Sequence, residues 1–168
     1  MLKDTLLKSG AIKTGEFVLT SGKKSNYYVD IKEAATDPAV LKEISAELSK
    51  NIKARKIAGM ELGAVPILVS TAIRLSIPYV ILRKEITHGT KKLTVGKINE
   101  GETIDMIEDV VTTGHSLLRA IDLVRNNGGV VKRAICVVDR LDGGAELLME
   151  NGVQLIPLVK ISEIPIIS

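Results

Sequence analysis

The stretch IDMIEDVVTTGHS, residues 104–116, decides how this chain is to be read. It opens as a mostly apolar run carrying the acid pair Glu108 and Asp109, and ends in a small hydroxyl-rich turn, Thr112, Thr113, Gly114, His115 and Ser116. Beyond the turn, Leu117, Leu118, Ile121 and Val124 fall near helical spacing, so the turn is predicted to join a buried strand to the first turn of a helix. There, unpaired backbone N–H groups and the positive end of the helix dipole can hold an anion. Two adjacent carboxylates at a strand's carboxyl end can accept hydrogen bonds from vicinal hydroxyls, as on a ribose, or engage a divalent cation directly or through water. Acids for a sugar and amides for a phosphate, a few residues apart, describe a ribose 5-phosphate site. On the turn alone, an ordinary strand-to-helix junction capped by Thr or Ser stays open. Asp105 is the oddity, a polar residue in a run expected to be covered on both faces, which is costly without a partner.

Outward from this stretch the pattern alternates. Upstream, Asp37-Pro38 starts a helix, with Leu41, Ile44, Leu48 and Ile52 as its apolar stripe. A strand over 57–60 and a loop over 61–66 follow, then a short helix over 67–75 and a strand over 79–82. Downstream, the helix after the turn runs to about Asn126 and stops at Gly128 and Gly129. A strand over 130–138, a helix over 145–150 and a last strand over 154–159 complete the series. Such alternation predicts βαβ units and an α/β fold with a mostly parallel central sheet, helices on both faces. At the amino end, a short helix over 2–8 precedes two β-prone runs around the basic turn Ser21, Gly22, Lys23, Lys24 and Ser25, which read as a hairpin. The segment RKEITHGTKKLTVG, residues 83–96, breaks the alternation and is cationic. It leaves a strand's carboxyl end, where ligands of open parallel sheets lie.

With 168 residues and no low-complexity linker, the chain is expected to form a single domain, 1–168. At 45% hydrophobic and 2% aromatic, its core must be aliphatic. A net charge of +3, spread along the chain, does not argue for a nucleic-acid surface. The lone Cys136 lies in an apolar run, which excludes an intrachain disulfide and fits a reducing compartment. No run is long and apolar enough for a membrane span, and the first residues lack a signal-peptide core, so a cytoplasmic protein is expected.

IEDVVTTGHS resembles the 5-phosphoribosyl-1-pyrophosphate (PRPP) motif of the type I phosphoribosyltransferases. GEFVLTSGKKSNYYVD, ELGAVP, RKE with HGT, and VVDRLDGG resemble, in order, segments of that family's orotate branch. The resemblance implies the type I fold with a small N-terminal hood over 1–36. It also implies a glycosyltransferase of pyrimidine biosynthesis that joins the ribose 5-phosphate of PRPP to orotate. It assigns Glu108 and Asp109 to the ribose, Asp109 with a catalytic part, and residues 112–116 to the 5-phosphate. Ser25, Tyr27, Tyr28, Thr112 and Arg140 fall to orotate, Arg140 pairing with its carboxylate through a planar fork. Glu61, Leu62, Gly63, Arg83, Lys84 and His88 fall to pyrophosphate, with Lys84 and His88 on a mobile catalytic loop that the family's homodimers pass into the neighbour's site. Mg²⁺ is implied, held mainly through PRPP and water rather than by assigned ligands, and no nucleic acid or membrane partner is expected. The chain departs from the pattern at Thr20, Gly63 and Thr87, where lysine or another basic residue is usual; Lys91 or Lys92 can supply the last charge. Two other readings remain at this point: a transferase for another base, and a non-enzymatic PRPP-sensing regulator.

Overall fold

The computed structural model describes residues 1–18, 22–85 and 92–165. Among them a six-stranded sheet has the order β5-β4-β3-β6-β7-β8. Here β3 is Ile57–Met60, β4 Tyr79–Leu82, β5 Thr94–Val95, β6 Asp105–Val111, β7 Arg133–Asp139 and β8 Gln154–Lys160. All neighbours pair parallel except β4 with β5, whose antiparallel contact lies at the sheet's edge.

The apolar runs become strands covered on both faces, because adjacent residues point to opposite sides. Ile57, Ile107 and Ile135 enter one core with α1 (Leu2–Lys8), α3 (Pro38–Ser49) and α4 (Ala64–Leu75). Ala58, Met106 and Cys136 enter a second core with α5 (His115–Asn126) and α6 (Gly144–Glu150). The Cys136 thiol is fully buried, and burial first, then the charges of Asp139, Glu108 and Asp109, push its pKa well up. It is an inert core residue.

Helix α3 starts where the sequence places it: the Asp37 carboxylate accepts from the backbone N–H groups of Ala39 and Val40. Helix α4 starts at Ala64, three residues before the expected Ile67, with Pro66 inside its first turn. A first-turn N–H has no intrahelical partner, so proline costs nothing there. Strand β7 starts at Arg133 rather than Val130, which makes only an isolated bridge with Thr103.

The amino-terminal hairpin is a separate two-stranded sheet, β1 (Ile12–Val18) with β2 (Lys24–Val29), followed by the short helix α2 (Ile31–Ala34). Gly15 lies within β1 at an irregularity between Thr14 and Phe17. Leu2 and Leu6 of α1 are buried with α3, and Ile12, Tyr27 and Val29 of the ribbon pack against the same core.

Asp105 is buried, 2% exposed, and has the partners that such burial demands. It is the first residue of β6, at the amino end of the sheet. Its Oδ2 accepts from the N–H groups of Lys53 (2.8 Å) and Ala54 (3.1 Å) and from Nη1 of Arg133 (3.3 Å).

Candidate active site

The chain leaves β3 through α4 toward β4 on one side, and leaves β6 through α5 toward β7 on the other. The crevice between the carboxyl ends of β3 and β6 is therefore the topological switch point, where open sheets of this kind bind ligands. A cavity of about 450 Å³ lies there. Glu61, Leu62 and Gly63 line it from β3, Lys84 from β4, and Glu108 and Asp109 from β6. Thr112, Thr113, Gly114, His115 and Ser116 close its floor.

The turn after β6 is built for close approach. Gly114 has φ +84°, and a Cβ on it would stand 3.0 Å from the Cα of Gly144, so turn and α6 meet backbone to backbone. The Gly144 N–H donates to Thr112 O, fixing that contact. No side chain caps α5, which leaves its first-turn N–H groups free for a ligand in the cavity. His115 is engaged with the Thr113 hydroxyl through Nδ1 at 3.1 Å.

The acid pair is electrostatically unfinished. Glu108 is 9% exposed and accepts from the Asp109 N–H at 3.0 Å. Burial, then the hydrogen bond and charge of the adjoining Asp109 carboxylate, push its pKa well above the usual glutamate range, with a smaller opposing pull from Lys84. A ribose hydroxyl pair or a cation would supply what the protein does not. Among the described residues no three acidic, histidine or cysteine side chains group as a metal cage.

On the pyrophosphate side, the Glu61–Leu62 peptide bond is cis, and Glu61 Oε1 accepts from the Lys84 N–H at 2.9 Å, tying the two loops together. Arg83 lines an adjoining cavity with Lys84 rather than the main one. His88, Thr87 and Lys91 lie outside the described residues, as does Thr20.

Arg140 follows β7 and donates its backbone N–H to Val111 O, which sets it beside Thr112. Its Nε donates to the Tyr27 hydroxyl at 3.3 Å and lies 3.7 Å from Asp142, with the guanidinium carbon 5.0 Å from the Tyr27 ring centroid. Among the described residues its two Nη groups have no hydrogen-bond partner, leaving the fork's outer edge available. Tyr27 thus joins Arg140. Tyr28 points to the opposite face of the ribbon and stacks on Phe17 at 5.8 Å. The Ser25 hydroxyl is taken up by the Tyr27 backbone.

Two cationic cavity residues escaped the sequence reading. Lys32, on α2 and 3.6 Å from Asp30, reaches the cleft from the amino-terminal region. Arg119 lies three residues beyond Ser116, and helical i, i+3 spacing from the phosphate turn was the signal that could have found it.

Known proteins share this fold and much of this sequence. The phosphoribosyl transferase domain model matches residues 31–152. The orotate phosphoribosyltransferase of Thermoplasma volcanium is 65% identical over 164 residues, covering 98% of this chain and 99% of that one. That of Methanocaldococcus jannaschii is 45% identical, covering 97% and 94%. The crystal structure of orotate phosphoribosyltransferase from Aeropyrum pernix superposes with a TM-score of 0.83 at 32% identity, covering 97% and 95%. This chain belongs to the phosphoribosyltransferase family and groups within it with the orotate phosphoribosyltransferases.

Proposed function

We propose that the protein transfers the 5-phosphoribosyl group of PRPP to N1 of orotate, giving orotidine 5′-monophosphate and pyrophosphate. One arrangement carries this reading: an unfinished acid pair and an uncapped helix start share a cavity, beside an arginine whose outer fork is free. The turn holds the 5-phosphate, and Glu108 and Asp109 hold the ribose hydroxyls. The bond from C1 to the pyrophosphate oxygen breaks with its electron pair on oxygen, while the N1 lone pair forms the new bond. Orotate is already an anion, so no strong base is needed. The acids beneath the ribose favour a cation-like transition state, and Lys84 faces the charge that develops on the leaving group. Mg²⁺ would be held mainly through PRPP oxygens and water, with the Glu108 and Asp109 carboxylates as the cavity's own anionic donors; when bound it would neutralise pyrophosphate.

Arg140 sets the base. Its Nη edge suits the orotate carboxylate, with Tyr27 holding the guanidinium in place. The test follows base consumption with PRPP and Mg²⁺, comparing orotate with uracil, hypoxanthine and adenine. Orotate should be preferred, and Arg140→Ala should lower kcat/KM for it by about a hundredfold, the loss of a charge-assisted pair. No turnover of orotate by a folded protein would sink the reading and favour a PRPP sensor; preference for a base without a carboxylate would favour another transferase.

A homodimer fits the surface of α4. Ile73 is 73% exposed, Leu62 just before the helix is 71% exposed, and Val65 and Val69 continue that side. Light scattering at micromolar concentration should return twice the chain mass, and a monomer would refute the dimer. Among the described residues no helix is long and apolar enough to cross a membrane; with the buried free thiol, this supports a cytoplasmic enzyme.

A further inference from the structure

The loop that faces pyrophosphate carries no cation of its own: it reads Glu61, Leu62, Gly63, Ala64. A Cβ on Gly63 would run into the Asp109 carboxylate, with the Asp109 Cγ at 2.6 Å. Any side chain there would displace one of the two acids assigned to the ribose. The charge opposite the departing anion must come from another element.

A second cavity, of about 530 Å³, adjoins the main cleft and shares Met60, Lys84, Ser116 and Arg119 with it. Arg119 therefore stands at the junction, on the same side of α5 as the phosphate turn. Arg83, Lys84 and Arg119 line this second space against Glu85 and Asp122, an excess of positive charge beside the leaving-group end of the cleft. Asp122 lies 3.9 Å from Arg125, its neighbour along α5. Arg119 has no hydrogen bond or ion pair among the described residues. An unpaired arginine whose helical neighbour Asp122 already lies near Arg125, set where two cavities meet, is placed to grip a polyanion through its planar fork.

We propose that Arg119 is a pyrophosphate-binding residue, and that the second cavity is the seat pyrophosphate takes on leaving the ribose. This rests on the assignment of the Glu61 and Lys84 side of the cleft to pyrophosphate. Arg119 holds the leaving group from α5, the helix whose start holds the 5-phosphate, so one rigid element spaces both ends of PRPP. Being exposed, Arg119 can be replaced without disturbing the core.

Calorimetric titration of pyrophosphate in the presence of Mg²⁺, and separately of ribose 5-phosphate, tests it on the wild type and on Arg119→Ala, Arg119→Lys and Lys84→Ala. Arg119→Ala should weaken pyrophosphate about tenfold or more while ribose 5-phosphate stays within about twofold, and Arg119→Lys should recover part of the loss. In the assay, KM for PRPP should rise with KM for orotate unchanged. If Lys84→Ala weakens pyrophosphate and Arg119→Ala does not, the pyrophosphate assignment stands and the role of Arg119 falls. If the wild type shows no pyrophosphate binding, or neither variant alters it, both fall. A lower kcat for Arg119→Ala with unchanged pyrophosphate affinity would make it a loop-positioning residue and overturn the proposal.

Discussion

Strand β6 carries buried carboxylates at both ends, and they meet opposite fates. Asp105, 2% exposed, faces two backbone N–H groups and the Arg133 guanidinium, while Arg133 also donates to Asn51 O at 2.7 Å. Three residues along, Glu108 is nearly as buried and has a second carboxylate as its neighbour. The amino end is finished within the protein, fastening β6 to β7 and to the loop after α3. The carboxyl end is left for something that arrives. Burial of an acid does not by itself mark a site; burial without a protein counter-charge does.

The contrast breaks most visibly at Asp105. Asp105→Ala leaves Arg133 and two N–H groups without their acceptor, and should cost about 3 kcal/mol in urea unfolding, the range for removing one partner of a buried pair. The folded variant should keep kcat and both KM values, because the residue lies at the far end of the sheet from the cleft. A fall in kcat matching the loss of stability would make the two ends one coupled unit and erase the distinction.

Asp109→Asn reverses the expectation. With one charge of the unfinished pair gone, stability should be unchanged or higher, while kcat/KM for PRPP falls by about a hundredfold, the equivalent of about 2.7 kcal/mol of transition-state binding. Steady-state kinetics beside a urea curve check both halves. A variant that is destabilised yet fully active would show that Asp109 serves the fold.

Much of this division was legible in the residues, because it depends on local order. The acid pair, the Gly turn and the helical stripe behind it are adjacent in sequence, and so is the Asp37 cap of α3. What escaped needed distance or register. The partners of Asp105 come from Lys53, Ala54 and Arg133, each some tens of residues away. Tyr27 and Tyr28 looked equivalent as neighbours in a β-prone run; strand alternation sends one to Arg140 and the other to Phe17. Lys32 reaches the cleft from α2, far in sequence from the strands that form it. Helix α4 starts three residues before the expected Ile67, because a proline in the first turn breaks nothing.

The subtlest difference between the two ends lies in pH. The pKa of Glu108 is raised in the folded protein, by burial first and then by Asp109. The native state therefore holds a proton that the unfolded chain releases near the ordinary glutamate value of about 4.3. Between that value and the raised one the native state binds more protons, so stability falls as pH rises. The contribution is fully present below about pH 4 and lost as pH passes the folded pKa. Glu108→Gln, neutral throughout, removes this slope. Its Tm should match the wild type near pH 4 and exceed it at pH 8. Ligand should undo the effect: a ribose or cation at the carboxylate favours the ionised form, so PRPP binding with Mg²⁺ should release a proton. Calorimetry in buffers of different ionisation enthalpy detects that release, which should vanish in Glu108→Gln and persist in Asp105→Asn. Proton release of equal size in both variants would place the titrating group elsewhere and remove Glu108 from the binding step.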